Sequence, residues 1–286
     1  MSFPTAYAGS YYPIYNSGVN QYIVPNSTFP FDQISTLLVA FAHAYPMGKN
    51  QYYQDQAGLA LEVGQPDEPF RLQNLVQVAK QVNPEIKILI SLGWGHNDWT
   101  YISQDYNGAN IFPQTIVDLI RTYKLDGFDI DDESIGGSSG SISQDDFTGV
   151  VQNIKKTLTN AGNTDGKYYY FTITPAGTSF DRNQGVNTPR AYITNDNILC
   201  FDIINTQNYG GSSYADFKNF PNADPKNFAY GINTEGCSPA FPDSSETDSL
   251  AGMFNWTMSA DSVCTTGGDP FEFTKKIAAQ VGYNQS

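Results

Sequence analysis

The chain has 286 residues, with 15 Lys and Arg against 29 Asp and Glu, a formal net charge of −14. So acidic a chain argues against nucleic acid or an anionic membrane as partner, because both are bound through clustered basic side chains. Aromatic residues make up 14% of the sequence, 19 of them Tyr and 18 Phe, a supply that suits either a packed core or a sugar-binding surface.

Strand-like and helix-like stretches alternate along the chain. Residues 6–12 form a first short strand, and residues 36–45 a second that is nearly all apolar, the mark of a strand covered on both faces. Residues 51–69 read as a polar loop. Residues 70–82 then carry Leu72, Leu75, Val76 and Ala79 at helical spacing, stopped by Asn83-Pro84. A third strand is expected over 87–93, a helix over 111–123 and the central strand from 125. The glycine- and serine-rich segment 135–141 follows as a flexible stretch. Ser143 to Asp145 open a helix over 146–160, with Phe147, Val150, Val151, Ile154 and Leu158 on one face. Further strands are expected over 168–174, 198–207, 228–232 and 252–258, and a last helix over 270–281. No linker or repeat divides the chain. Eight strands with mostly helical crossovers predict one α/β domain over 1–286, a single (β/α)8 TIM barrel. Its outer helical ring is expected to be incomplete near the last strands, and no large α+β insertion is expected, since residues 233–251 make only a loop.

Three cysteines, Cys200, Cys237 and Cys264, are too far apart in sequence for a metal-ligand pattern. A Cys237–Cys264 bridge is one open pairing. No apolar run approaches the roughly 18 residues of a membrane span, and a soluble monomer is expected. The first residues lack the charged and apolar regions of a secretion signal; an extracellular protein whose leader is not part of this chain is the expectation.

The central strand reads Leu-Asp-Gly-Phe-Asp-Ile-Asp-Asp-Glu-Ser over residues 125–134. Strand alternation puts Asp129, Asp131 and Glu133 on one face and Phe128, Ile130 and Asp132 on the other. Like charges at this spacing repel, and burial adds to the cost. At least one of the acids should therefore hold a proton near neutral pH, which is what a general acid needs. Polar residues also fall at the carboxyl ends of other strands, where barrel enzymes carry their sites: Ser91, Gln207 with Tyr209, and Trp256.

The run from Asp126 to Glu133 resembles the D-G-x-D-x-D-x-E signature of glycoside hydrolase family 18. Ser91-Leu92-Gly93 is similar to that family's S-x-G-G motif, with Trp94 in place of the second glycine. Gln207-Asn208-Tyr209 resembles its sixth-strand motif, and Trp256 its tryptophan on the eighth strand. The resemblance implies that Glu133 protonates the leaving oxygen. The substrate's own 2-acetamido group attacks the anomeric carbon, held by Asp131, and Asp129 shares a proton with Asp131. Tyr209, with Gln207 beside it, would hold the acetamido carbonyl, and Trp256 would lie under the sugar. Ser91 and Gly93 would leave room beside Asp129, with a small-residue packing layer as the alternative. Trp94, Trp99, Tyr11 and Tyr12 are candidates for outer sugar subsites.

The implied substrate is chitin or another GlcNAc-containing oligosaccharide, with no metal or organic cofactor. An endo-acting chitinase is expected. Asp132 in place of an aromatic and Gly210 after Tyr209 also resemble the family's endo-β-N-acetylglucosaminidases, and a silent glycan-binding barrel is a third reading. His43 and His96 lack a second ligand at metal spacing and read as structural. Of two glycosylation sequons, at Asn26 and Asn255, the latter falls in a buried strand and reads as coincidence.

Overall fold

The structure, a computed structural model, describes residues 6–18, 20–46, 57–61, 66–94, 96–133, 135, 139–177, 192–264 and 269–283. The strands are β1 (Tyr7–Pro13), β2 (Thr36–Tyr45), β3 (Gly58–Ala60), β4 (Lys87–Gly93), β5 (Gly127–Asp132), β6 (Tyr170–Pro175), β7 (Ile203–Thr206), β8 (Phe228–Asn233) and β9 (Gly252–Trp256). All but β3 are parallel and run around a closed barrel in the order β1-β9-β8-β7-β6-β5-β4-β2, with β2 returning to β1. This is the (β/α)8 barrel expected from the sequence.

Alternation sorts the strand side chains into two apolar sets. Tyr11, Leu38, Leu89, Ile203 and Phe254 belong to one that fills the barrel. Val39, Ile90, Phe128, Ile130 and Phe171 belong to a larger one packed beneath the helices. Burial of each such side chain contributes roughly 1.5–3 kcal/mol.

The helices that cover the outer set are α1 (Glu68–Val82), α2 (Asp98–Tyr106), α3 (Phe112–Tyr123) and α4 (Gln144–Asp165). Leu72, Leu75, Val76 and Ala79 of α1 are buried, as are Phe147, Val150, Val151, Ile154 and Leu158 of α4. The Ser143 hydroxyl starts α4 by accepting the Asp146 N–H at 3.0 Å. Asn83 ends α1 and donates its side-chain amide to the carbonyls of Phe31 and Ile34 at 2.9 and 3.0 Å. The later crossovers are thin. α5 (Tyr214–Phe217) and α6 (Ser244–Thr247) have four residues each, followed by α7 (Met258–Val263) and α8 (Glu272–Val281).

Several boundaries differ from the sequence reading. β3 and α2 were not expected: β3 is three residues paired antiparallel to the end of β2, too short to show a period. The stretch 198–207 is a strand only over its last part, since Ile198–Cys200 forms a 3-10 turn. The strand expected to reach residue 258 stops at Trp256, where the Thr257 hydroxyl accepts the Ala260 N–H at 3.1 Å and opens α7. The flexible stretch 135–141 and the polar loop 51–69 lie partly outside the described residues. Cys237 and Cys264 form a disulfide across Cα atoms 5.1 Å apart, and Cys200 is free.

The barrel closes at the β1–β9 seam, where Gly252 faces Tyr7. A Cβ on Gly252 would stand 1.9 Å from the Tyr7 carbonyl oxygen, so the seam must open to admit one. Gly252→Ala should lower unfolding stability by about 1–3 kcal/mol, read as a lower urea midpoint; an unchanged midpoint would contradict this account of closure.

Candidate active site

Register across three strands builds the floor. Ser91 of β4, Asp129 of β5 and Thr172 of β6 are aligned. Ser91 Oγ donates to Asp129 Oδ2 at 2.6 Å and Thr172 Oγ1 to Oδ1 at 2.5 Å. The Tyr11 hydroxyl reaches Oδ2 from β1 at 2.7 Å. Asp129 is fully buried. Burial raises its pKa, and the hydroxyl donors hold that rise back.

One step nearer the mouth, Asp131 is aligned with Gly93 and Thr174. A Cβ at position 93 would lie 2.6 Å from Asp131 Cβ, so glycine makes room beside Asp131 rather than Asp129. Asp131 Oδ1 accepts from Gln207 Nε2 at 3.1 Å, and Gln207 also donates to Glu133. Gln207 is fixed in turn by the Ser212 hydroxyl on its backbone N–H at 2.7 Å. Burial first, then the charges of Glu133, Asp129 and Asp132, push the Asp131 carboxyl well above its usual range, and Gln207 offsets part of this. Glu133 is also raised, by burial and by the charge of Glu235, against the pull of Gln207. Carboxyls this close titrate as a set.

Above the acids opens a cavity of about 270 Å³ lined by Asp131, Glu133, Tyr209, Trp94, Trp256 and Glu235, among others. Trp256 ends β9, with its ring centroid 5.0 Å from Tyr11 and 6.0 Å from Phe41. The peptide bonds Ala40–Phe41 and Trp256–Thr257 are cis. Tyr209 stands on the turn Asn208–Gly210 with 37% of its surface open. Trp94, 54% open, stacks 6.5 Å from Tyr15. The arrangement offers a raised acid, a second carboxyl to accept an N–H, a phenol to donate, and a flat apolar face.

Other candidates fall elsewhere. Tyr12 does not line the cleft: it is buried among Phe29, Phe31 and Tyr22, and its hydroxyl donates to the Ile23 carbonyl. Its neighbour Tyr11 points the other way, into the barrel, as strand parity requires. It therefore serves Asp129 rather than an outer subsite. Trp99 packs on Phe147 beneath the helices. His43 and His96 are not isolated. Their rings lie 4.1 Å apart, and His43 Nδ1 is 3.2 Å from Asp98 Oδ2. They line a second cavity that shares Tyr15, Phe41 and Trp94 with the first. Asn255 is fully buried, in keeping with its sequon being coincidental.

Sequence reasoning missed Glu235, Asn20 and the hydroxyls of Thr172 and Thr174. Glu235 was within reach of the argument, because Asn233-Thr234-Glu235 stands at the carboxyl end of β8. The threonines carried no motif; only register shows that they face Asp129.

The sequence profile described as "Glycosyl hydrolases family 18" matches residues 9–227. Chitinase A1 of Niallia circulans is 30% identical over 139 residues, 45% of this chain and 20% of that protein. The chain thus spans about a fifth of the length of the curated relatives it matches. A GH18 chitinase from Cycas revoluta, solved with (GlcNAc)3, superposes with a TM-score of 0.67 at 14% identity, over 96% of this chain and 99% of that one. A family 18 N-acetylglucosaminidase from Paenibacillus barengoltzii does so with a TM-score of 0.64, also at 14% identity, with the same coverage. At such identities the superpositions speak for the fold.

Raised carboxyls mean that the folded chain holds protons the unfolded chain would release. Stability from these groups is present below the ordinary carboxylate range and is lost as pH rises through the raised values. Melting temperature should therefore fall as pH rises above the ordinary carboxylate range, and Asp131→Asn should flatten that slope. An equal slope in the variant would remove Asp131 as a buried proton holder.

Proposed function

The chain belongs to the glycosyl hydrolases family 18, and on that premise we propose that it is an endo-acting chitinase. It would cut β-1,4 bonds between N-acetylglucosamine units with retention. The observation that carries this reading is the placement of Glu133, Asp131, Tyr209 and Trp256 around one cavity.

In the proposed reaction a GlcNAc ring lies on Trp256, whose apolar face suits the axial C–H bonds of the sugar. Glu133, whose pKa burial and Glu235 raise, donates its proton to the glycosidic oxygen, and the bond from that oxygen to the anomeric carbon breaks. The acetamido carbonyl oxygen attacks the same carbon from the opposite face and forms an oxazolinium ion. Asp131 accepts the acetamido N–H and stabilises the positive charge; Tyr209 directs its hydroxyl at the carbonyl oxygen. The Glu133 carboxylate then takes a proton from water, the oxygen of that water bonds to the anomeric carbon, and the ring of the intermediate opens with the original configuration restored.

Three features support cleavage within a chain. The β8–β9 crossover contributes only α6 and a loop. The cavity adjoins the second one beside His43 and His96, the two sharing Tyr15, Ser17, Phe41 and Trp94 as walls. Neutral sugars also suit a cleft whose named charges are all acidic. A polymer could lie along such a groove in either direction from Trp256.

Colloidal chitin should release GlcNAc oligomers. Cleavage of a high-mannose glycoprotein instead would favour the endo-β-N-acetylglucosaminidase reading, and glycan binding without either product would favour a silent binding barrel. Glu133→Gln should lower kcat by about 10²–10⁴-fold while KM changes little. Activity should fall on the alkaline side as Glu133 loses its proton, and a rate flat from about pH 5 to pH 9 would contradict its role as donor.

A further inference from the structure

Beyond the four residues that carry the proposed reaction, one more carboxylate faces the cavity. Glu235 follows β8, and both hydrogen bonds that its carboxylate accepts among the described residues fall on Oε1. One comes from Trp256 Nε1 at 2.9 Å and the other from the side-chain amide of Asn20. Asn20 comes from the segment after β1 and also accepts from the Thr257 hydroxyl at 3.0 Å. A single carboxylate oxygen thus joins the segments after β1 and β8 to the last residue of β9, beside the seam that closes the barrel.

The loop that carries Glu235 is itself held. Thr234 donates its backbone N–H to the Trp256 carbonyl at 2.7 Å. Its hydroxyl lies 3.0 Å from that carbonyl and 2.9 Å from the carbonyl of Thr257. Two residues beyond Glu235, Cys237 is bonded to Cys264 at the end of α7. A flexible side chain on a free loop could not fix an indole; this one is braced on both sides. The family profile ends at residue 227, so Glu235 and Trp256 both lie past the matched stretch.

We propose that Glu235 is a positioning residue: it clamps the edge of the Trp256 indole so that the ring lies flat beneath the sugar, and it sets its negative charge across the cavity from Glu133. The inference rests on the hydrolase reading above for the role of Glu133, but not for the clamp. An indole N–H left without its acceptor frees the ring to turn about its side-chain torsions, and a tilted ring loses stacking area on the sugar. The charge acts separately. Among the described residues, the other titratable groups around Glu133 are Asp131 from β5, Tyr15 from the segment after β1 and Tyr209 from the turn after β7; Glu68, His43 and His96 line the adjoining cavity. Among the described residues no Lys or Arg lines either cavity, so none of those side chains screens Glu235 from Glu133. Its effect on the acid is to raise the pKa, keeping the proton in place to higher pH.

Two substitutions separate the two roles. Glu235→Gln keeps an oxygen acceptor for Trp256 Nε1 and removes the charge; Glu235→Ala removes both. Affinity for the N-acetylglucosamine tetramer is measured by calorimetry in a Glu133→Gln background, and the Glu133 carboxyl is titrated by carbon-13 resonance in the otherwise native chain. Adding Glu235→Ala should weaken tetramer binding by about tenfold, and adding Glu235→Gln by less than about twofold. The Glu133 titration should move to lower pH in Glu235→Gln. Unchanged affinity on adding Glu235→Ala would overturn the clamp, and an unmoved Glu133 titration in Glu235→Gln would overturn the charge role. Neither readout needs turnover, so an otherwise native chain that binds the tetramer without cleaving it would remove the hydrolase reading and leave the clamp to stand or fall on affinity.

Discussion

The cleft depends on how three carboxyls rising along one strand divide their charge. At a spacing of about 7 Å and an effective dielectric of about 20, each adjacent pair of ionised acids costs roughly 2 kcal/mol, before any penalty for burial. A hydrogen bond to a charged acceptor contributes about 1.5–3 kcal/mol. Asp129 has hydroxyl donors from Ser91, Thr172 and Tyr11, which offset part of both costs and hold back the rise that burial imposes. Asp131 has the Gln207 amide, and Glu133 shares the same amide. The negative charge therefore settles most easily at the bottom of the ladder, and the proton is driven toward the mouth, where chemistry on a sugar can use it.

Much of this could be read from the sequence, and the parts that could not share a physical cause. Apolar runs such as Thr36–Tyr45 and the acidic strand with its alternating faces announce themselves through periods of two, and α1 and α4 through periods near 3.6. Three-residue β3 has no period to show, and α2 starts after Trp94 and His96, where positive φ values follow no sequence pattern. Tyr11 and Tyr12 show the limit most clearly. Two adjacent tyrosines point to opposite faces of β1, and nothing in their chemistry says which one faces inward. Pairing with β2 and β9 decides it, and it puts Tyr11 on Asp129 and Tyr12 in the outer core.

Contacts made across the barrel are the other class that sequence hides. His43 and His96 are 53 positions apart in the chain yet their tilted rings meet at 4.1 Å, because β2 and β4 are neighbours that end at the same rim. The threonines on Asp129 come from β6, and the carboxylate on Trp256 from the loop after β8. Each is an ordinary residue made functional by register. The motif supplies the acids, and the neighbouring strands supply the donors that let those acids coexist.

The seam between the first and last strands has a consequence for how the molecule comes into being. Glu133, Asp131 and Asp129 are synthesised before the midpoint of the chain, but the indole beneath the cleft and the carboxylate that braces it come from the final fifth. Without β9 on β1 the ring would not be closed, and the side that forms the barrel interior would be open to water, which solvates carboxylate charges. A nascent or truncated chain ending before β9 would hold the complete acidic motif without the environment that raises it. The hold of these carboxyls on their protons depends on closure of the ring, so it is complete only with the last strand in place.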